Sequence, residues 1–398
     1  MGGDADEGYG KVADAFRRNF DSGKEIGAAV AVYRDGRKVV DLWGGERNGK
    51  THAPWEQDTI VNVFSTTKGV ASLAVAVAAT RGWLDYDAKV ADYWPEFAQG
   101  GKGAITVRQL FSHQAGLVAI TPPLTLADIA DPEKLSARIA AQVPAWPPGT
   151  RYGYHAVTLG WYQSALIYRV DPQKRTIGRF FADEIAGPLG LDFYIGLPES
   201  VDRSRVALLD PVTRTELLLH LHTMPPRFVA GLFNPRSLIS RAFLIAAGIK
   251  QAGDFNRDDV RTPEMPSVNG TATARSIAKL YGSAATGDVK LGLSQPVRDA
   301  LEAPAVTPSG GSHDRIMHLD ASFSLGFGKP TSKFVFGSTG KAFGWPGLGG
   351  SFGFADPDTG VGFGYVMNKL GYHAYSDPRE LALRQALFRD VLGARTQA

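Results

Sequence analysis

The sequence predicts an α/β protein of the α+β kind: an antiparallel sheet built from both ends of the chain, flanked by terminal helices, with a mostly helical domain inserted between. Three observations carry that expectation. Near the N-terminus, GAAVAVYRDGRKVVDLWGG sets two β-rich runs around Asp35-Gly36, a dipeptide favoured in two-residue hairpins. Near the C-terminus, SFGFADPDTGVGFGYVMN alternates apolar and small residues around an Asp-Pro-Asp-Thr-Gly turn. Between them, from roughly 69 to 300, the segments SARIAAQV, LGWYQSALIYRV and RSIAKLYGSAA have helical periodicity, are separated by Pro- and Gly-rich loops, and show little strand-like alternation.

The elements can be justified in order. VADAFRRNF reads as an amphipathic helix ahead of the first hairpin, and PRELALRQALFRDVLG as a helix after the last one. The expected division is a discontinuous sheet domain, 1–85 with 300–398, and a helical domain, 86–299, that carries the substrate-pocket loops. The stretch HLHTMPPRFVAGLFNPRSLISRAFLIAAG is apolar and broken by proline; core is its default reading and a substrate-facing cap the other.

Composition excludes several classes. With 43 basic against 40 acidic residues and no run of Lys or Arg, the chain lacks the footprint of a nucleic-acid binder. The absence of cysteine removes thiol catalysis, disulfides and thiolate metal sites together. MGGDADEGYGK has no basic segment leading into an apolar one, so a cytoplasmic location is expected. The apolar run GVASLAVAVAA falls short of the ~20 residues of a membrane span. No metal or cofactor is expected: the close pair His220 and His222 lacks a convincing carboxylate partner, and no phosphate-cradling glycine motif occurs.

Two serines compete for a catalytic role. GGSFG, 349–353, matches G-x-S-x-G, but a nucleophile elbow needs strand, sharp turn and helix, with acid and histidine later in the chain. Ser351 leads instead into a hairpin, and His373 is the single histidine downstream. Its glycines are better explained by close backbone approach within a strand. FSTTKG offers Ser65 and Lys68 as S-x-x-K, a pattern also met at Ser276-Lys279 and Ser338-Lys341. Context separates them: Ser65 comes after the β-like VNVF and opens the apolar helix KGVASLAVAVAATRG. Lys68 then lies one turn on and on the same face. The serine N–H is one of the unpaired donors of a helix start, and an apolar setting lowers the lysine pKa, so that a neutral amine can take the serine proton without histidine. The bland alternative is an N-capping serine with a surface lysine after it.

In this order of motifs the chain resembles the serine hydrolases of the class C β-lactamase fold, which include penicillin-binding D,D-peptidases and family VIII carboxylesterases. In WPPGTRYGYHAVTLG, Tyr154 matches the tyrosine of the family's Y-x-N motif, with His155 in the middle and Ala156 where Asn is typical. GWPGLGG resembles the family's K-T-G or H-T-G, with Trp345, Pro346 and Gly347 in the three positions. The resemblance implies that Ser65 is the nucleophile, that Lys68 and Tyr154 move protons, and that the N–H groups of Ser65 and Leu348 form the oxyanion hole. It further places Trp345, Gly347, His155 and Asn269 (in PSVNGTATARS) at the substrate, with His155 a packing or hydrogen-bonding neighbour rather than a base. His113, in LFSHQAGL, is expected to order a turn.

Trp345 in place of a cation removes the partner for the carboxylate of a β-lactam or D-Ala-D-Ala terminus, and a large aromatic surface suits apolar ester groups. The expected activity is hydrolysis of small, short-acyl carboxylic esters through an acyl-enzyme. A β-lactamase, D,D-peptidase or amidase of the same fold is the alternative, and a catalytically idle binding or assembly protein is another. The expected partner is a small-molecule ester, with no nucleic acid and no membrane; the sequence leaves oligomeric state open.

Overall fold

The computed structural model describes residues 1–373 and 375–394. Its main sheet has nine antiparallel strands, and the order shows both chain ends meeting in the middle. Gly2–Ala5 lies on one edge, then come Arg37–Asn48, Gly27–Arg34, Val361–Met367, Phe352–Asp356, Phe343–Pro346, Phe327–Gly328 and Phe323–Ser324, with Ala53–Pro54 added beside Arg37–Asn48. The first hairpin turns at Asp35 and Gly36, with φ of 49° and 76°. Positive φ at both central residues is what such a two-residue turn requires.

The glycine-aromatic alternation of the C-terminal hairpin sorts the layers. Gly353, Gly362 and Gly364 face helix Ala274–Thr286 so closely that a Cβ on Gly362 would lie 2.0 Å from the Gly282 nitrogen and one on Gly364 2.4 Å from the Ala274 oxygen. The intervening Phe354 and Phe363 stack on the opposite face, where Phe388 of the C-terminal segment packs 5.8 Å from Phe354. Helices Gly10–Asp21 and Pro378–Gln385 pack together, tied by Asn19 Nδ2 donating to the Arg379 carbonyl at 3.1 Å. The result is helix, sheet, helix, with the aromatic residues filling the side that the glycines do not.

Two helices lie where the expected division into 1–85 with 300–398 and 86–299 does not separate the packing. Helix Ala274–Thr286, assigned to the helical domain 86–299, packs on the sheet through the glycine contacts above. Helix Thr66–Thr80, assigned to the sheet domain 1–85, lies between the layers, against Phe343–Pro346 on one side and helix Thr158–Val170 on the other. Every residue of that helix from Thr66 to Ala78 is buried, as befits a helix apolar all round. A small second sheet, Val61–Asn62, Gly270–Ala272 and Phe193–Ile195, was not expected; it fixes the chain's entry into this central helix.

Candidate active site

Ser65 stands at the start of the central helix, immediately after Phe64, whose φ of 44° is unusual for a bulky residue. Thr67 holds that turn: its hydroxyl donates to the Phe64 carbonyl at 2.5 Å and accepts from the Gly270 N–H at 2.9 Å. Ser65 occupies the N-cap position, yet its side chain makes no capping hydrogen bond. Its Oγ lies 3.0 Å from Lys68 Nζ and accepts from the Tyr154 hydroxyl at 2.9 Å. The bland reading of an ordinary cap is thereby removed.

Lys68 is completely buried, and among the described residues no carboxylate pairs with it. Its Nζ donates to the carbonyls of Ala156, at 2.6 Å, and Ser267, at 3.0 Å. Desolvation holds its pKa well below the usual lysine value. A neutral amine has two N–H groups and one lone pair. With both N–H groups on carbonyls, the lone pair is left for the hydroxyl proton of Ser65.

Tyr154 is placed by His113. The imidazole Nδ1 accepts from the His155 N–H at 2.9 Å, the His113 carbonyl accepts from the Gly153 N–H at 2.9 Å, and the ring packs edge-on to Tyr154. His113 has a φ of 60°, so it orders a turn as expected. Burial pushes the Tyr154 phenol up to about 12, so at neutral pH it is a proton donor.

The loop that carries Leu348 beside Ser65 comes from the other end of the chain. Gly347 lies flat against the residues flanking Ser65: a Cβ there would be 2.3 Å from the Val63 carbonyl and 2.9 Å from Thr66 Oγ1. Gly347 and Gly350 close a tight turn through Gly350 N–H to Gly347 O, 3.2 Å. Among the described residues, no group accepts from the backbone N–H of Ser65 or of Leu348. From below, Arg379 donates to the Gly349 carbonyl at 2.6 Å, to Asp377 at 2.8 Å and to Glu25 at 3.1 Å. Ser351, buried behind the loop, donates to the Val63 carbonyl at 2.9 Å and has Thr66 Oγ1 at 3.1 Å, with neither a histidine nor a lysine bonded to it.

Several sequence expectations need correction. Asn269 does not reach the pocket: it is wholly buried, its Oδ1 accepting from the Met265 N–H at 2.9 Å and its Nδ2 donating to the Pro263 carbonyl at 2.5 Å, so it staples its own loop. The His155 side chain does not line the cavity either. Its ring is buried away from the cavity, pushed down to about 3 by desolvation and so neutral, and neither ring nitrogen has a partner. Trp345 and Gly347 do line the cavity. The other S-x-x-K pairs do not meet: Ser338 and Lys341 bond to Asp356 and Asp358, and Ser276 accepts from the Asp192 N–H. His220 Nδ1 pairs with the Glu216 carbonyl at 2.7 Å and its ring stacks on Tyr372. Missed altogether was Arg379, whose position in PRELA resembles a surface helix start.

Above Ser65 opens a cavity of about 540 Å³. The segment read by default as core forms its roof: Phe228, Val229, Leu232 and Phe243 all face the cavity, so this stretch is a cap. Lys329, which also borders it, is spoken for by the carbonyls of Leu301 and Lys341, at 2.9 Å each, and Lys333 is exposed. Among the described residues no helix is long and apolar enough to cross a membrane.

Comparison with known proteins shows the family and the fold. The family described as Beta-lactamase matches residues 12–388. The esterase/beta-lactamase LipL of Mycobacterium tuberculosis is 34% identical over 92% of this chain and 83% of its own. A crystal structure of a family VIII carboxylesterase superposes with a TM-score of 0.86 at 37% identity, covering 98% of this chain and 99% of that one. A penicillin-binding protein homologue from Caulobacter crescentus gives 0.82 at 37%, covering 97% and 98%.

Proposed function

The chain belongs to the beta-lactamase family and is a serine ester hydrolase of that fold, and on that premise we propose that it cleaves carboxylic esters through an acyl-enzyme on Ser65. The observation that carries this reading is the Ser65 hydroxyl between a buried lysine with both N–H groups occupied and a neutral phenol.

Acylation begins when Ser65 passes its proton to Lys68 and attacks the ester carbonyl. The resulting ammonium gains the third N–H that the site otherwise lacks. The oxyanion is received by the N–H groups of Ser65 and Leu348, donors fixed before the reaction and therefore costing no reorganisation. Tyr154 gives its proton to the departing alcohol and recovers one from Lys68, so the net transfer is from serine to alcohol. Water then attacks the acyl-enzyme by the same route in reverse, giving the acid and the free serine.

The ester reading is favoured over the amide one by the aromatic Trp345 where a cation would meet a carboxylate. Release of p-nitrophenol from its butyrate ester tests it. Ser65→Ala is expected to lose about 10⁴-fold or more, while Ser351→Ala retains turnover. Loss of activity in folded Ser351→Ala with Ser65→Ala active overturns the nucleophile, and hydrolysis of a chromogenic cephalosporin as fast as simple esters would move the reading to β-lactamase.

A further inference from the structure

The cap carries apolar side chains on both of its faces. Its inner face lines the cavity through Leu221, Phe228, Val229, Leu232 and Phe243. Its outer face shows Leu218, Leu219, Phe233 and Leu244 to solvent, 41% to 68% exposed. Helices apolar all round are ordinarily buried on every side, and a free surface scatters its apolar residues singly rather than gathering four within 218–244. The segments are continuous: helix Arg214–Leu219 packs on the turn Leu221–Thr223, that turn on helix Pro226–Leu232, and that helix on Leu238–Ala242. Phe233 also borders the cavity, as does the exposed Leu348, so the outer face runs into the mouth above Ser65.

The same stretch is one-sided in charge. From 217 to 253 there is no aspartate or glutamate, in a chain that has 40, yet Arg227, Arg236, Arg241 and Lys250 all fall there. Arg227, Arg236 and Lys250 are exposed, and Arg241 is half-buried, donating to the Thr121 hydroxyl. The acids at either end are engaged locally: Glu216 accepts from the Thr213 hydroxyl at 2.7 Å and Asp254 from the Lys250 N–H at 2.7 Å. We propose that the cap docks on an anionic phospholipid surface, lying on it with the cavity mouth towards the lipid. Interfacial binding grows with buried apolar area and with the attraction of cations for anionic headgroups, and the cap supplies both. A second copy is the poorer occupant, because a two-fold contact sets a patch against itself and brings Arg227 and Arg236 towards their own counterparts. The mouth favours lipid over an acidic protein: a protein seated on this face closes the way to Ser65, whereas a bilayer supplies apolar molecules to it. The expectation of no membrane partner rested on apolar runs too short to span, and docking needs no spanning segment.

Co-sedimentation of the full chain with vesicles tests the proposal, which goes beyond the proposed function and does not rest on it. The protein is expected to sediment with vesicles of equal phosphatidylglycerol and phosphatidylcholine and to be released as salt is raised. Pure phosphatidylcholine vesicles should bind it about tenfold or more weakly. Arg227→Gln combined with Arg236→Gln is expected to weaken binding to the anionic vesicles about tenfold or more, and Leu218→Ser combined with Leu219→Ser by a similar factor. None of these four residues lines the cavity, and thermal melting checks that each variant is folded. Absence of sedimentation with the anionic vesicles, or equal binding to both vesicle types, overturns the proposal. So does undiminished binding by either folded double variant. Binding to poly-glutamate as tight as to the anionic vesicles overturns the lipid assignment in favour of an acidic protein.

Discussion

The floor and the roof of the cavity are built on opposite principles. At the floor, Lys68, Thr67, Ser351 and Arg379 are buried polar groups, each with specific partners drawn from distant parts of the chain. The roof, from Pro225 to Phe243, is short helices whose apolar side chains face the cavity, and beside it Leu218, Leu219, Phe233 and Leu244 are exposed. A buried polar group is costly unless its partners are met, so the floor tolerates one arrangement. Apolar packing is non-directional, so the roof tolerates many. Chemistry is thus tied to the floor and selectivity to the roof.

Breaking the floor has the largest expected consequences. Lys68→Met is expected to lower kcat/KM on the order of 100-fold or more, as loss of a general base does. In wild type, kcat/KM holds where the amine is neutral and falls as pH drops through the lowered lysine pKa; the variant lacks that acid limb. The Tyr154 phenol, pushed up to about 12, adds no alkaline limb below that pH. The same substitution should raise thermal stability. Between its depressed folded pKa and the ordinary value of 10.5, unfolded Lys68 holds a proton that the folded site rejects, so the native protein gains stability as pH rises across that window. A methionine removes both the cost and the slope, which a melting series against pH would show. An unstable Lys68→Met protein with wild-type pH dependence would break the comparison.

Leu348→Pro removes one oxyanion N–H without touching a side chain the floor uses, and is expected to cost about 10² to 10³ in kcat. Arg379→Met leaves Glu25 and Asp377 buried without their cation, and is expected to cost about 3 to 5 kcal/mol of stability, read by denaturant unfolding. Because Arg379 also holds the Gly349 carbonyl, the folded fraction should show a lowered kcat with KM little changed. At the other end of the scale, Leu219→Ser in the roof region, 68% exposed, should alter stability by no more than about 0.5 kcal/mol.

Legibility in the sequence divides along similar lines. The hairpins and long helices were readable because period two and period 3.6 persist over many residues, and Ser65, Lys68 and Tyr154 because helix geometry and motif order constrain them. The structure brings those three together. The small sheet was not readable, since strands as short as Phe193–Ile195 offer no alternation. The packing of helix Ala274–Thr286 on the sheet was not readable, because what receives it is three glycines far along the chain, Gly353, Gly362 and Gly364. Asn269 and His155 lie next to residues that matter, but adjacency in sequence does not say which way a side chain points. Arg379 could be found by no local pattern: its partners are at Glu25, Gly349 and Asp377.

The meeting of both chain ends in one sheet has a consequence for when the enzyme comes into being. Strand Gly27–Arg34 waits for Val361–Met367, and Ser65 leaves the ribosome roughly 280 residues before Leu348 does. Throughout that interval the nascent chain carries Ser65 without the Leu348 N–H that we propose completes its oxyanion hole. Such long-range pairing folds slowly because loop closure precedes its reward. On that reading the newborn protein is chemically silent, and its hydrolytic power switches on only when the last strands dock.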